Sequence, residues 1–309
     1  MKIVFMGTPD FAVASLEAIC ESGHEIALVV TQPDRPKGRG YTLTPSPVKQ
    51  YALEKGIEVI SPESLKDESV LEKLRSTDAD IFLVTAYGRI LKKEILDMPK
   101  IGCFNVHASL LPYWRGAAPI NRAIMSGDTL GGITLQFMAE GVDTGDIALV
   151  KELCIDDSWC AGDYHDALMA LSKEAVSEFL ELASKNEIPR RAQEHEKATH
   201  AAKIGNDDAY LTFDESARDV RNRIRGLSPF PGAFFFLSGK RIKVRNAILG
   251  NGNGEIGTVI STDNCGIEIA CKEGSVILTT ICPEGKGVCD CASYLRGNKI
   301  EIGTKVNER

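Results

Sequence analysis

Two unbroken apolar runs of strand length open the chain, and they limit its fold more than anything after them. Residues 2–6 (K-I-V-F-M) and 25–31 (E-I-A-L-V-V-T) flank a segment in which Phe11, Ala12, Leu16, Ile19 and Cys20 recur at helical spacing. A strand apolar on both faces must be covered on both, which a parallel sheet wrapped in helices provides. Gly7 turns the chain, Thr8 is the expected helix cap and Pro9 the expected first helical residue. Helix 48–55, strand 57–60, helix 68–75 and strand 80–85 continue the alternation. Such sheets bind ligands beyond the carboxyl ends of their strands. The first turn, G-T-P-D-F-A, lacks the G-x-G-x-x-G spacing that lets a pyrophosphate approach the backbone, so no dinucleotide site is expected.

Residues 102–146 hold the polar groups that belong at such strand ends. G-C-F-N-V-H places Asn105 and His107 two apart, hence on one face of a strand, just before S-L-L-P redirects the backbone at Pro112. An apolar strand at 132–138 then leads to the turn G-V-D-T-G-D, which sets Asp143 on a loop at a second strand end. An amide, an imidazole and a carboxylate from neighbouring strand ends suit carbonyl chemistry. Gly88, just past the strand at 80–85, either makes a turn or lets backbone approach a ligand, and its apolar neighbours suit a flat ring.

Outside that stretch, residues 32–47 carry four prolines and two glycines, which predict no regular element, and Arg35, Lys37 and Arg39 make them basic. A strand at 147–155 and an amphipathic helix at about 163–184 follow, then a polar segment reading as a linker. The last hundred residues change character to one Arg-rich helix, 216–227, and short alternating strands broken by glycines, the pattern of a small OB-like β-barrel. The formal charge of -7 argues against indiscriminate nucleic-acid binding. From Asn206 onward, however, 14 Lys and Arg stand against 13 Asp and Glu, which leaves room for a local basic face. Arg218, Arg221 and Arg225 share a helix face, and Lys240, Arg241, Lys243 and Arg245 lie on the next strand.

Nine scattered cysteines, an odd number, point to reduced thiols in a cytoplasmic protein, and no apolar run is long enough for a membrane span. Cys282, Cys289 and Cys291 lack paired C-x-x-C arms, so no metal is expected. His24, His165, His195 and His200 receive no role.

N-V-H-A-S-L-L-P (105–112), W-R-G-A-A-P-I (114–120) and D-T-G-D (143–146) resemble the formyltetrahydrofolate-dependent formyltransferases. G-T-P-D-F (7–11), Q-P-D-R-P with G-R-G (32–40), P-S-P-V (45–48) and R-G-L before P-F-P-G (225–232) resemble, within that family, the branch acting on methionyl-tRNA. The resemblance implies an α/β, Rossmann-like, mostly parallel formyltransferase domain at 1–189, a linker at 190–205 and an OB-like, tRNA-binding barrel at 206–309. It implies catalytic roles for Asn105, His107 and Asp143. A pocket for 10-formyltetrahydrofolate would be formed by Tyr87, Gly88, Arg89, Ile90 and Leu91, by Ser109, Leu110, Leu111 and Pro112, and by Gly141 and Val142. Arg39 matches the position that touches the acceptor end of initiator tRNA, with Arg35, Lys37, Arg218, Arg221, Arg225, Lys240, Arg241 and Lys243 as further tRNA contacts. The chain departs from the family pattern at Arg89, Lys92 and Lys93, and at Y-L-T-F (210–213). A monomer is expected.

In that chemistry an amine attacks a formamide carbonyl, and charge of both signs appears midway. Asn105 would donate to the oxyanion, His107 would donate beside it or carry a proton between nitrogens, and Asp143 would favour the imidazolium or hold a water. Two competing readings keep part of this pattern. A formyltransferase for a small amine, such as a nucleotide sugar or glycinamide ribotide, needs the trio but not Arg39. A noncatalytic RNA-binding protein needs neither folate nor the trio.

Overall fold

The computed structural model describes residues 1–37 and 42–308. Its chain forms two compact units. The first comprises Met1–Gly116, Leu130–Cys154 and His165–Ala201; the second comprises Ala117–Thr129, Ile155–Tyr164 and Ala202–Arg309.

In the first unit seven strands run in the order Ile147–Cys154, Leu130–Phe137, Gly102–His107, Ile81–Thr85, Lys2–Gly7, Glu25–Val30, Val59–Ile60. The last five pair in parallel, and Leu130–Phe137 is antiparallel to both its neighbours. The central strands are buried along nearly their whole length, as unbroken apolar runs require. One face packs Val4, Met6, Leu28, Phe82 and Val84 against helix residues Leu71 and Leu74. The helix Ala161–Ser184 brings Phe179 to 4.6 Å from the ring of Phe104.

Two local expectations are corrected. The first helix begins at Asp10 with Pro9 as its cap residue, and the Thr8 hydroxyl instead donates to the Tyr87 carbonyl (3.2 Å). The proline-rich segment is not wholly irregular: Arg35–Lys37 and Thr42–Thr44 pair antiparallel. A two-stranded ribbon leaves each strand one unpaired edge, where a proline withdraws no ladder donor. The base of this ribbon is pinned by the Lys49–Asp34 ion pair (2.8 Å) and a Thr31–Ser46 hydroxyl contact (2.7 Å).

The second unit is built on an antiparallel sheet in the order Ala233–Leu237, Lys240–Gly250, Ser275–Pro283, Gly266–Ala270, Val259–Asp263. Alternate residues Ala233, Phe235 and Leu237, then Ile242 and Val244, point into its core. Its two outer strands do not pair directly among the described residues. The chain end lies between them: Val259 N–H donates to the Thr304 carbonyl (2.9 Å) and Asn307 N–H to the Phe236 carbonyl (2.7 Å). A barrel-like ring is thus completed by the tail, not by a ladder between the two outer strands.

Candidate active site

Asn105 and His107 occupy the carboxyl end of Gly102–His107, opposite Gln136 and Thr134 of the antiparallel neighbour. Asp143 meets them from the loop between Leu130–Phe137 and Ile147–Cys154. Its φ of 53° lies in the left-handed region that aspartate tolerates better than most side chains. One carboxylate oxygen accepts from Gln136 Nε2 (2.9 Å) and, at the long distance of 3.4 Å, from Asn105 Nδ2. The other accepts from the backbone N–H of Gly116 (2.8 Å) and lies 3.6 Å from His107 Nδ1. His107 Nε2 is 2.9 Å from the Trp114 carbonyl. A carbonyl only accepts, so Nε2 carries a proton, and Nδ1 is the ring nitrogen turned toward the carboxylate. The trio is not sealed off: Asn105 is half-buried, and the Asp143 side chain keeps 12% of its exposure while that of His107 keeps 6%. Among the described residues the Asn105 amide nitrogen makes only that long contact, at a surface that solvent reaches.

The turn behind the trio is held by Thr134, buried in its strand. Its hydroxyl donates to the Ser109 carbonyl (2.7 Å) and accepts from Leu111 N–H (3.1 Å). Ser109 in turn donates to the Tyr113 carbonyl (2.6 Å). Ser109, Leu111 and Pro112 are buried, which leaves Leu110 as the more exposed side chain of that group.

The sequence-predicted ring pocket is only partly realised. The side chains of Tyr87 and Leu91 point into the hydrophobic core with Leu28, Leu65 and Ile95, so any contact these two residues make with a ligand falls to their backbone. The Tyr87 hydroxyl is buried without a partner among the described residues, and burial raises its pKa above the usual phenol value. The intervening residues face outward. Ile90 is 75% exposed, Arg89 donates to the Glu63 carbonyl, and Gly88 has φ +81° with the Gln32 amide where a Cβ would sit. Gly141 and Val142 are exposed beside Asp143, and Val142, like Ile90, leaves its apolar side chain open to solvent.

The basic residues divide likewise. Arg35 is exposed on the ribbon, which Lys37 ends, and Arg39 lies outside the described residues. In the second unit Arg218 is exposed, but Arg221 pairs with Asp157 at 2.9 Å. Arg225 is buried and donates to the carbonyls of Asp157 (3.1 Å) and Trp159 (3.0 Å) and to Asn222 Oδ1 (3.0 Å), which corrects its assignment to a phosphate-facing surface. Desolvation accordingly pulls its pKa below the usual guanidinium value. Arg225→Met should cost about 3 kcal/mol, because those acceptors lose their donors in a buried place. A lower denaturant midpoint with unchanged affinity for RNA is the expected pairing of results. Lys240 is exposed, and the Arg241 guanidinium lies 3.7 Å over the Phe234 ring. Arg241 and Lys243 line, with Asn121, Lys203, Asn206 and the 80% exposed Phe230, a groove of about 650 Å³ within this unit.

Three residues beside the trio were not singled out from the sequence. Gln136 is fully enclosed, and its only signal was an amide inside the apolar strand I-T-L-Q-F. Gln193 and Arg115 are also buried, and nothing in the polar segment around Gln193 marked it. The segment expected to be a linker contributes to the first unit through Gln193 and through His200–Ala201, which pairs in parallel with Arg115–Gly116.

Residues 1–180 match the formyl transferase family and residues 203–299 match the C-terminal domain of formyl transferases. The chain belongs to the formyl transferase family. It is an enzyme of formyl transfer. A methionyl-tRNA formyltransferase of Geotalea daltonii is 40% identical over 309 residues, covering 100% of this chain and 99% of that one. One from Myxococcus xanthus is 45% identical over 304 residues, covering 98% and 97%. Among solved structures, the sugar 3N-formyl transferase WlaRD superposes with a TM-score of 0.69 at 19% identity over 93% of this chain and 99% of that one, a likeness of fold. No helix among the described residues is long and apolar enough to cross a membrane.

Proposed function

We propose that this formyl transferase moves the formyl group of 10-formyltetrahydrofolate to the free amino group of methionyl-tRNA, giving N-formylmethionyl-tRNA for translation initiation. The observation that carries the reading is the full-length likeness to methionyl-tRNA formyltransferases at 40–45% identity. In this reading residues 1–189 perform the chemistry, the connecting segment 190–205 supports them through its packed residues up to Ala201, and 206–309 hold tRNA, in a cytoplasmic monomer. The small-amine alternative rests on fold likeness to WlaRD at 19% identity, which is weaker support.

The mechanism assigns each group a task set by its position. The methionyl amine attacks the formyl carbon, forming the new C–N bond as the carbonyl π pair moves to oxygen. Asn105 donates an amide N–H to that oxyanion. The attacking nitrogen becomes cationic and must lose a proton, while the folate N10 must gain one to leave with the C–N bonding pair. The His107–Asp143 pair, with one ring nitrogen facing a carboxylate at 3.6 Å, takes up the first proton and supplies the second, directly or through a water in that gap. No side-chain nucleophile is required. Ile90 and Val142 offer apolar surface to the pterin ring, with Gly88 and Gly141 admitting it to the backbone. Arg35, Lys37 and Arg39 contact phosphates of the acceptor end, and the groove at Arg241 and Lys243 contacts phosphates elsewhere on the tRNA.

The test supplies 10-formyltetrahydrofolate with either methionyl-tRNA or free methionine and detects the formylated product by mass. Product from methionyl-tRNA alone is expected, with kcat/KM falling steeply between 50 and 200 mM salt as phosphate contacts are screened. Arg39→Ala should lower kcat/KM for the tRNA about tenfold and leave KM for folate unchanged. Equal turnover of free methionine, or indifference to Arg39, would favour the small-amine reading.

A further inference from the structure

Behind Asp143 lies a chain of buried amides whose direction is set by one guanidinium. Arg115, 6% exposed, donates through Nε (3.1 Å) and Nη2 (2.6 Å) to the carbonyl oxygen of the Gln193 side chain. Arginine only donates, so the Gln193 amide can take only one orientation, with Nε2 pointing away from it. That nitrogen meets three acceptors: the carbonyls of Gly145 (2.6 Å) and Asp143 (3.1 Å) and the side-chain oxygen of Gln136 (3.3 Å). The last contact orients Gln136 in turn, and its Nε2 donates to Asp143 Oδ1 at 2.9 Å. Gln193 and Gln136 are 5% and 2% exposed, so water does not compete for these bonds.

We propose that Gln193, oriented by Arg115, is a positioning residue that fixes both the backbone and the carboxylate of Asp143. Asp143 sits at φ 53°, a conformation an isolated chain seldom holds, and Gln193 grips the carbonyl on that residue and another two positions on. Through Gln136 the same amide sets which way the carboxylate faces His107. The remaining Nη2 contact of Arg115, to His195 Nδ1 at 2.9 Å, anchors the far end of the chain. The inference rests on the reading of Asp143 as part of the proton-transferring pair.

A double-mutant cycle of Gln193→Leu with Asp143→Asn, read as single-turnover formyl transfer to methionyl-tRNA, tests it. Asp143→Asn alone should lower the rate at least a hundredfold; if it does not, the reading of Asp143 falls, and with it the role given to Gln193. Given that loss, Gln193→Leu should lower the rate about tenfold or more in the wild-type background, with both KM values unchanged. In the Asp143→Asn background it should change the rate less than about twofold, because a misplaced carboxamide has little left to lose. Equal losses in both backgrounds would assign Gln193 to general stability and overturn the proposal, as would a wild-type rate for Gln193→Leu. Gln193→Glu provides the same comparison should the leucine variant not fold, since it keeps the acceptor for Arg115 and removes the donors to Asp143 and Gly145.

Discussion

Asn105→Ala is expected to lower kcat about 10²–10³-fold, the loss that follows removal of one donor from an oxyanion site. The substitution is clean because Asn105 is not what holds the site together. Its own bond to Asp143 is long at 3.4 Å, whereas Asp143 keeps its bonds to Gln136 (2.9 Å) and to the Gly116 N–H (2.8 Å). The strand keeps its register through backbone pairing with Val84 and Gln136. The donor matters most once negative charge has formed on oxygen, so KM for both substrates should stay within about threefold. Rapid-quench kinetics with a denaturation midpoint measured in parallel would check this. A loss in KM without a loss in kcat would make Asn105 a ground-state contact.

Gly145→Ala is expected to be the most damaging single methyl group in the first unit. A Cβ at this position would lie 1.7 Å from the carbonyl oxygen of Phe137 and 2.8 Å from its carbon, backbone atoms that cannot swing away. Phe137 is tied there twice, since its N–H donates to the Asp146 carbonyl (2.8 Å) and its ring packs, tilted by 49°, against that of Phe104 with centroids 4.6 Å apart. The loop would have to move as a whole. That would break the Gln193 contact with the Gly145 carbonyl and carry Asp143 away from His107. A stability loss of about 3 kcal/mol is expected, with turnover falling by more than a hundredfold even where the protein remains folded. Chemical denaturation and single-turnover rates separate the two effects. A variant with wild-type turnover would show that Asp143 need not be held as the structure holds it.

The parts of this architecture readable from sequence were those with a period. Continuous apolar strands announced a covered sheet, and the two-residue spacing of Asn105 and His107 placed them on one face because strand geometry demands it. Short alternating strands broken by glycines after the Arg-rich helix likewise announced a second, β-rich unit. Where period was absent the reading failed for identifiable reasons. Helical spacing puts Arg221 and Arg225 on one face but cannot tell whether that face meets solvent or the carbonyls of residues 157–159. A loop gives no rule for which side chains turn inward, so the sequence does not tell that Tyr87 and Leu91 pack in the core while Ile90 between them is exposed. Gln193 had no signature because its importance lies wholly in partners from residues 115, 136, 143 and 145. The completion of the second unit by Asn307 was hidden for the same reason, being a contact across many residues of sequence.

In the proposed mechanism the Asn105 amide faces the oxygen on which charge develops. A crystal structure of the enzyme with a non-transferable analogue of the formyl donor measures this directly. The analogue's carbonyl oxygen is expected about 2.7–3.1 Å from Asn105 Nδ2, its ring against Ile90 and Val142, and Asp143 still bonded to Gln136 and the Gly116 N–H. A formyl oxygen bound away from Asn105, on another face of the sheet or against other donors, would contradict it.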